Sequence, residues 1–524
     1  MLELTAILAA AAVVYGIARA TNFPLIPLLL VAGLLMGFFS VMPDEEFVLG
    51  ILEVGLVFLL FGAGMDMSLQ RVGKQRQLAV TVGLAQFGAL GLVTGWLLLR
   101  TGYTLEEALY IALAVSASST LVVVRLLKKR QELFEPFGRM ILGVLLLQDL
   151  LLIAGLVLLA SLSAESTAEL LLGLEVTAGL VVATIVLTKW VMPRVVESCR
   201  EEEETLLLIV LSVLFLFLGA AHLGGVPLVV GAFLAGLTLS SFPARTLVMG
   251  LLSSLSDFFI VIFFLCLGAL VTLPSMEGLL KTVALVALVI IVTPLLVAWV
   301  AERAGMTSRG ALEAGILLAQ TSELSLVVGL LGVEQGILDQ EAFGTLVLLT
   351  VITMILTPIL SSRNVVEWLM SFHPRLGPKQ GRTSRAAPVI IIGGGVAGGL
   401  LIQKAREDNL EVVVLDQDPG IVSTLQGTAC DAVWGDASDE KTLREAGVER
   451  ARAVVITTGK LHHYEAVRRL TPPETPIWVH AFERRTLKSI AEDDSRIVIY
   501  ADAAAKSFLK WFSEEVEEKR KEGE

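Results

Sequence analysis

The feature that most constrains this chain is a succession of long apolar segments that fills residues 1–361 and then stops. A helix that crosses a bilayer needs about 20 mostly apolar residues, and thirteen segments meet this requirement. They are residues 2–19, 24–40, 46–65, 77–99, 106–127, 137–160, 169–191, 205–222, 226–242, 250–272, 278–300, 309–332 and 341–361. The sequence therefore predicts a polytopic α-helical membrane protein with about thirteen spans.

The composition supports this fold class and suggests domain boundaries. Hydrophobic residues make up 55% of the 524 residues, above the ~45–50% of soluble globular proteins. We predict a transmembrane domain over residues 1–361, a cytoplasmic linker over 362–387, a soluble α/β domain over 388–512 and a charged tail over 513–524. The formal net charge of −12 says little about partners, because much of it lies in loops and in the tail. The lipid bilayer is an expected partner, and nucleic acid is not.

The distribution of Lys and Arg between the loops predicts the orientation of the spans. With the N-terminus outside, the outside loops hold Arg100 and Lys281. The inside loops then hold Arg19, Arg71, Lys74, Arg76, Arg125, Lys128, Lys129, Arg130, Arg139, Lys189, Arg194, Arg200, Arg245, Arg303 and Arg309. This bias predicts a cytoplasmic C-terminal domain.

The sixth span carries the strongest functional signal, because Gln148 and Asp149 are the only strongly polar residues between Met140 and Ala160. An ionisable residue in the centre of a spanning helix costs at least ~2.5 kcal/mol and is usually functional. Asp149 can hold a proton or a cation, which makes a transporter the first hypothesis. The alternative is a structural carboxylate paired with Lys or Arg, but the eleventh span has no charge after Lys281 near its outer end.

Two spans are interrupted by clusters of small polar residues at corresponding positions in the two halves. Paired interruptions of this kind predict an inverted-repeat transporter with broken helices at its site. The clusters are Ser116, Ser118, Ser119 and Thr120 in the fifth span, and Gln320, Thr321, Ser322, Glu323 and Ser325 in the twelfth. The alternative for either cluster is hydrogen bonding back to its own helix. Glu323 could bind ions or cap the half-helix dipoles, and we favour capping.

The soluble domain begins with a dinucleotide-binding fingerprint. Val389–Ile392 reads as a buried strand, and Gly393, Gly395 and Gly398 follow it at the turn into a helix. Asp416 ends the next strand at the spacing expected of the residue that binds the ribose hydroxyls, which argues against NADP. The alternative is a Rossmann fold that has no ligand or serves only as a dimer module.

Four further strands are predicted in this domain, over residues 431–434, 453–458, 476–481 and 496–501. Together with the two strands at the fingerprint they give a six-stranded parallel sheet. His462 and His463 are predicted to be surface residues at a helix start rather than metal ligands, and no tightly bound metal is expected.

The chain resembles the monovalent cation:proton antiporter-2 family, and within it the Kef-type potassium/proton antiporters with a C-terminal KTN (RCK-like) domain. The resemblance extends over nearly the whole chain. The segments that carry it are residues 59–72, 116–127, 143–156, 226–241, 259–273 and 319–330 and the glycine-rich segment from residue 389. Electrogenic relatives of this fold usually carry two acidic residues or Asn-Asp in the sixth span and a lysine in the eleventh. The Gln148-Asp149 pair and the missing lysine therefore resemble the electroneutral branch.

The resemblance implies a secondary transporter, not an enzyme, that exchanges one K⁺ or Na⁺ for one H⁺ across the cell inner membrane. Asp149 would bind the proton and the cation alternately, and Gln148 would offer a carbonyl oxygen to the ion. The resemblance also implies a homodimer and a regulatory AMP, ATP or NAD(H), with Asp436 and Ala437 near the adenine. In Kef-type proteins glutathione conjugates act as well.

Two other functions compete with this interpretation. A potassium channel gated by an RCK domain would need a filter loop of the TVGYG type, which the sequence lacks. A membrane oxidoreductase using NAD(H) would need a second redox centre, and the spans contain no paired histidines for haem.

Overall fold

The structure is a computed structural model. It describes residues 2–21, 23–39, 45–67, 75–130, 132–133, 136–162, 166–198, 203–240, 258–372, 387–408, 410–426, 430–458, 461–479 and 497–499. The chain forms two compact units, Met1–Gly305 with Ala311–Ser362, and Met306–Gly310 with Arg363–Glu524. The predicted tail and most of the predicted linker lie outside the described residues, and the four domain boundaries stay predictions.

The membrane part consists of helices, several of which are interrupted. A short π-helix, Leu187–Val191, joins the helix Thr167–Val186 to the helix Met192–Ser198. The helices are α1 (Leu2–Thr21), α2 (Leu25–Phe38), α3 (Glu45–Asp66), α4 (Arg76–Arg100), α5 (Leu105–Ser116), α6 (Thr120–Lys129), α7 (Pro136–Leu162), α8 (Thr167–Val186), α9 (Met192–Ser198), α10 (Glu203–Leu223), α11 (Leu228–Thr238), α12 (Phe258–Ala269), α13 (Met276–Arg303), α14 (Ser308–Leu318), α15 (Glu323–Glu334) and α16 (Gln340–Leu360).

Each predicted span coincides with a helix or with two half-helices. Among the described residues, eight stretches are long and apolar enough to cross a membrane, and four shorter apolar helices accompany them. The ninth span was predicted over 226–242, and α11 ends at Thr238. Residues 241–242 of this span and 250–257 of the tenth span lie outside the described residues. The helical architecture is confirmed, and the number of thirteen spans stays a prediction.

Helix packing divides the membrane part into two groups. In one group α3 packs on α11, and α11 also contacts α8 and α10. In the other group α4 packs on α5, α7 and α13, while α15 packs on α5 and α16. Glycine permits the closest approach, since a Cβ on Gly64 of α3 would lie 2.1 Å from the Phe233 carbonyl oxygen of α11. The predicted site residues of the membrane part lie on α7 and at the two interruptions, between α5 and α6 and between α14 and α15.

From Arg363 onward the second unit contains α17 (Arg363–Met370) and a parallel sheet with the order β3-β2-β1-β4-β5-β6. Its core lies on both faces of the apolar strands β1 and β2 and on one face of β4. The strands are β1 (Val389–Ile392), β2 (Val412–Asp416), β3 (Asp431–Trp434), β4 (Ala453–Ile456), β5 (Ile477–Val479) and β6 (Ile497–Ile499). The helices are α18 (Val396–Glu407), α19 (Pro419–Gln426), α20 (Glu440–Ala446) and α21 (Leu461–Leu470). This order is that of a Rossmann fold, which confirms the six predicted strands.

Candidate functional site

The fifth span is broken at its polar cluster. α5 ends at Ser116, the backbone is extended at Ala117 and Ser119, and α6 begins at Thr120. The Ser119 hydroxyl caps α6 by accepting a hydrogen bond from the Val122 N–H at 3.3 Å. The break therefore leaves free backbone groups in the interior, where a polar side chain must satisfy them.

The twelfth span is broken in the same manner. α14 ends at Leu318 and α15 begins at Glu323, with Ser322 as the N-cap, whose hydroxyl accepts from the Leu324 N–H at 3.1 Å. The Thr321 hydroxyl donates to the Thr350 hydroxyl of α16 at 3.0 Å.

Two hydrogen bonds join the breaks to each other. The Ser118 hydroxyl donates to the carbonyl oxygen of Leu318, the last residue of α14, at 2.7 Å. In the other direction the Ser325 hydroxyl of α15 donates to the Ala114 carbonyl oxygen of α5. Ser118, Ser119, Thr321 and Ser322 are completely buried. The structure thus brings both predicted clusters into one crossing.

Asp149 lies beside the fifth-span break. Its Oδ2 accepts a hydrogen bond from the Thr120 hydroxyl, the first residue of α6, at 3.0 Å. Its Oδ1 is buried and makes no hydrogen bond within the described part of the chain. Asp149 is 5% exposed. A buried carboxylate oxygen that lacks a donor is suited to accept a proton or to coordinate a dehydrated cation.

Gln148, the neighbour of Asp149 on α7, is completely buried. Its Oε1 accepts a hydrogen bond from the Ser118 N–H at 3.1 Å, and its Nε2 donates to Oε1 of Gln86 on α4. Both polar ends of this side chain therefore have protein partners, and the Ser118 N–H freed by the helix break is satisfied by a side chain.

Two further carboxylates lie within electrostatic range of Asp149. They are Glu323 at the start of α15 and Asp66 at the end of α3. Glu323 faces the Ser119 side chain and the Leu121 backbone in the first turn of α6, so it lies between the N-termini of α6 and α15. Its Oε2 is buried without a hydrogen bond among the described residues.

A cavity of about 1370 Å³ lies between the helix groups, near the ends of α7, α10 and α15. Its lining includes the carboxylates of Glu53, Glu106 and Glu334. These ends lie opposite the Lys- and Arg-rich ends of the spans. A water-filled acidic cavity there would favour cations over anions.

Sequence reasoning missed three parts of this site: Gln86, Asp66, and the threonine pair Thr350 and Thr353. Gln86 carries the same signal that identified Asp149, namely a strongly polar side chain in the middle of an apolar segment. Asp66 ends the third span within a segment quoted for the family resemblance. The threonines carry no signal, because threonine is common in spanning helices.

In the second unit the glycine-rich loop connects β1 to α18. Gly393 has a φ of +98°, which an L side chain rarely adopts. A Cβ on Gly398 would lie 1.9 Å from the Gly393 carbonyl oxygen, so only glycine fits this close turn. A Cβ on Gly395 would meet nothing within 4 Å. The loop therefore exposes backbone at Gly395 beside a helix N-terminus, as an anion site requires.

Asp416, at the carboxyl end of β2, lies against this loop. Its Oδ2 accepts from the Gly394 N–H at 2.6 Å and its Oδ1 from the Asp418 N–H at 2.8 Å. Burial raises the pKa of Asp416 above its usual value, and these two N–H donors oppose the shift.

Asp436 and Ala437 follow β3 at the same edge of the sheet. Asp436 accepts from the Ser438 N–H and hydroxyl, and its Oδ1 lies 3.4 Å from Nε2 of His463. His463 is only 2% exposed, so the prediction of a surface position was wrong for it, while His462 is exposed. His463 lies in the first turn of α21 and faces inward, where Asp436 and the Thr458 hydroxyl contact it.

Comparison with known families matches both parts of the chain. The family model described as "Sodium/hydrogen exchanger, transmembrane" matches residues 6–362, and the TrkA-N domain model matches residues 389–481.

Two curated relatives resemble most of the chain. The glutathione-regulated potassium-efflux system protein KefC of Cronobacter sakazakii is 27% identical over 440 residues, covering 81% of this chain and 70% of the relative. The chloroplastic K(+) efflux antiporter 3 of Arabidopsis thaliana is 27% identical over 509 residues, covering 86% of this chain and 64% of the relative.

Among solved structures, the sodium proton antiporter MjNhaP1 of Methanocaldococcus jannaschii matches with a TM-score of 0.54 and 17% identity. The match covers 69% of this chain and 96% of that protein. At this identity the match establishes the fold of the membrane part alone.

Proposed function

This chain belongs to the sodium/hydrogen exchanger family, as its sequence predicted, and we propose that it exchanges K⁺, or Na⁺, for H⁺ across the cell inner membrane. The observation that carries the proposal is Asp149, a buried carboxylate held beside two crossed broken helices, one of whose oxygens accepts no hydrogen bond from the described residues. The curated relatives named as potassium-efflux proteins support K⁺ as the cation.

Asp149 is proposed to bind the proton and the cation in turn. Because one carboxylate carries one negative charge, it is neutralised by either ligand but not by both, and the two compete. No Lys or Arg occurs in the interior of α13 that could neutralise it permanently. The exchange is therefore proposed to be electroneutral, one cation for one proton.

Glu323 is proposed to stabilise the crossing rather than to carry ions. It lies where the positive ends of α6 and α15 come together, and a negative charge near a helix N-terminus is favourable by about 0.3–1 kcal/mol, and up to ~2 kcal/mol when partly buried. Ser118, Ser119, Thr120, Thr321 and Ser322 hold the breaks by the hydrogen bonds described above. Gln148 was predicted to be a cation ligand, and its hydrogen bonds with Ser118 and Gln86 favour a positioning role.

The soluble domain is proposed to regulate exchange by binding AMP, ATP or NAD(H). Gly393, Gly395 and Gly398 offer the phosphate-binding turn, and Asp416 lies at the end of β2, where it can reach ribose hydroxyls. Asp436 and Ala437 are proposed to face the adenine. A nucleotide can regulate exchange only if it binds one transport state more tightly than the other.

We also propose that the protein is a homodimer with its N-terminus outside and its soluble domain in the cytoplasm. The Lys and Arg bias of the loops supports the orientation. The alternative of an RCK-gated channel is less favoured, because the fold is that of an antiporter and the sequence has no TVGYG filter.

Exchange in proteoliposomes tests the proposed function. An outward K⁺ or Na⁺ gradient is imposed across vesicles that contain a pH-sensitive dye, with AMP, ATP, NAD⁺ or NADH inside or outside. We expect K⁺-driven acidification of the vesicle lumen and a change in its rate with at least one nucleotide. A pH change no faster than in empty vesicles for both cations contradicts antiport.

The nucleotide site has a matched pair of variants at Gly395, because a side chain there meets no neighbour. Gly395→Asp places a negative charge where phosphate binds and is expected to abolish thermal stabilisation by the nucleotide. At a ligand concentration 100 times the Kd, this stabilisation amounts to about 2.7 kcal/mol. Gly395→Ala adds no charge and is expected to retain most of it. Equal stabilisation of wild type and Gly395→Asp contradicts the assignment of the loop.

A further inference from the structure

Gln86 is a buried amide in the middle of α4 to which neither the family match nor the predicted site gives a role. It is 1% exposed, and its neighbours along α4 are mostly apolar. Its Oε1 accepts a hydrogen bond from Nε2 of Gln148, and its Nε2 lies 3.4 Å from the Ser118 hydroxyl oxygen.

These contacts close a cycle of hydrogen bonds among three residues, Ser118, Gln148 and Gln86. The Ser118 N–H donates to Oε1 of Gln148, Gln148 donates to Gln86, and Gln86 donates back to the Ser118 hydroxyl. The Ser118 hydroxyl uses its own hydrogen for the Leu318 carbonyl oxygen, so it is free to accept from Gln86. Each polar atom in the cycle therefore has a partner of the correct kind.

The cycle determines which way the Gln148 amide points. A glutamine side chain can turn by 180° and exchange its oxygen and nitrogen at little steric cost. The acceptor oxygen of Gln86 requires the NH₂ group of Gln148 on its side, which leaves the Gln148 oxygen facing the Ser118 N–H. Without Gln86, the buried NH₂ group of Gln148 loses its acceptor, and only the Ser118 N–H still holds the amide in place.

Both ends of the cycle adjoin the carboxylate that is proposed to carry ions. Gln148 precedes Asp149 in α7, and Ser118 lies two residues before Thr120, whose hydroxyl donates to Asp149. A change in the orientation of Gln148 would therefore move the helix break and the carboxylate relative to each other.

We propose that Gln86 is a positioning residue for the ion site: through Gln148 and Ser118 it holds the fifth-span break beside Asp149 and so sets the affinity for the cation. The proposal rests on the proposed antiport function. It also assigns Gln148 to the same task, since both polar ends of its side chain are engaged in the cycle.

The test uses Gln86→Met, which removes both hydrogen bonds and keeps nearly the same volume. The matched control is Gln77→Met, because Gln77 lies on the same helix with an exposed side chain. Potassium-driven exchange by reconstituted protein gives KM and kcat, and the melting temperature in detergent reports stability. We expect the KM for K⁺ to rise about tenfold in Gln86→Met, the lower end of the loss when an outer-shell partner of an ion site is removed. Gln77→Met is expected to match the wild type.

A double-mutant cycle separates positioning from a general loss of stability. If Gln86 acts through Gln148, the KM of Gln86→Met with Gln148→Met equals that of Gln148→Met alone. A purely structural role would lower the melting temperature and the active fraction without changing KM. If Gln86→Met does not assemble, Gln86→Asn is measured in its place, because it keeps the amide but shortens its reach.

An unchanged KM in the Gln86 variant, or additive effects in the double variant, overturns the role of Gln86 while exchange by the wild type still stands. Absence of exchange by the wild type overturns the proposed function, and the role of Gln86 with it.

Discussion

The two broken spans end their half-helices in the same way, but their polar groups contact different neighbours. At the fifth-span break, Ser118 contacts Gln86 of α4 and Gln148 of α7, and the Thr120 hydroxyl donates to Asp149. At the twelfth-span break they run mainly to the threonines of α16. The fifth-span break contains no ionisable residue, whereas the twelfth contributes Glu323, which reaches back to α6.

This difference suggests that the two breaks have different roles although their helices are interrupted in the same way. The fifth-span break is proposed to position the carboxylate of Asp149, and the twelfth-span break is proposed to support it with the charge of Glu323 at the helix N-termini. Changes near the first are expected to alter exchange, and changes near the second to alter stability.

The largest effect is expected from Asp149→Asn. Asparagine keeps the size of the side chain and its bond with Thr120 but cannot take up a proton. Loss of a proton-transferring group costs about 100-fold or more, so exchange is expected to fall to the level of empty vesicles. Size-exclusion chromatography and the melting temperature are expected to match the wild type. Exchange that persists in this variant would assign the proton to another group.

Glu323→Gln tests the supporting break. Removing the charge between the two helix N-termini is expected to lower the free energy of unfolding by about 1–2 kcal/mol, seen as a lower melting temperature. Glu334→Gln is the matched control for the melting temperature alone, because Glu334 is exposed at the opposite end of α15, where a negative charge gives no dipole stabilisation, and it lines the acidic cavity. If Glu323→Gln melts like the wild type but no longer exchanges ions, then Glu323 carries ions and the proposed difference in role between the breaks is wrong.

The smallest effects separate two threonine hydroxyls, one at each break. Thr120→Val removes the hydrogen bond to Asp149, which at about 1.5 kcal/mol, the lower end for a charged acceptor, predicts roughly a tenfold change in kcat/KM. Thr350→Val removes the acceptor of the Thr321 hydroxyl and is expected to cost about 1 kcal/mol of stability without changing KM. Kinetic and melting measurements on both variants check this, and equal kinetic effects would remove the distinction between the breaks.

Much of this arrangement could be predicted from the sequence, because its signals are local. Polar clusters in apolar spans indicated both breaks, the isolated charge indicated Asp149, and the spacing of Gly393 to Asp416 indicated the Rossmann turn. Each signal lies within a few residues or within one supersecondary unit.

What the sequence did not predict depends on contacts between distant segments. Gln86 and Gln148 are 62 residues apart, and their pairing follows from the packing of α4 on α7. His463 looked like a surface residue in a polar segment, and only the fold places it against Asp436. Such pairings are set by tertiary packing, which a single sequence does not reveal.

The central claim is that one carboxylate exchanges one cation for one proton. It is tested most directly by measuring K⁺-driven proton movement in proteoliposomes at several membrane potentials, imposed by ionophores that leave the K⁺ and H⁺ gradients unchanged. Electroneutral exchange predicts the same rate at every potential, because no net charge crosses the membrane. A rate that rises or falls steadily with the potential would show net charge transfer and contradict the single-carboxylate site.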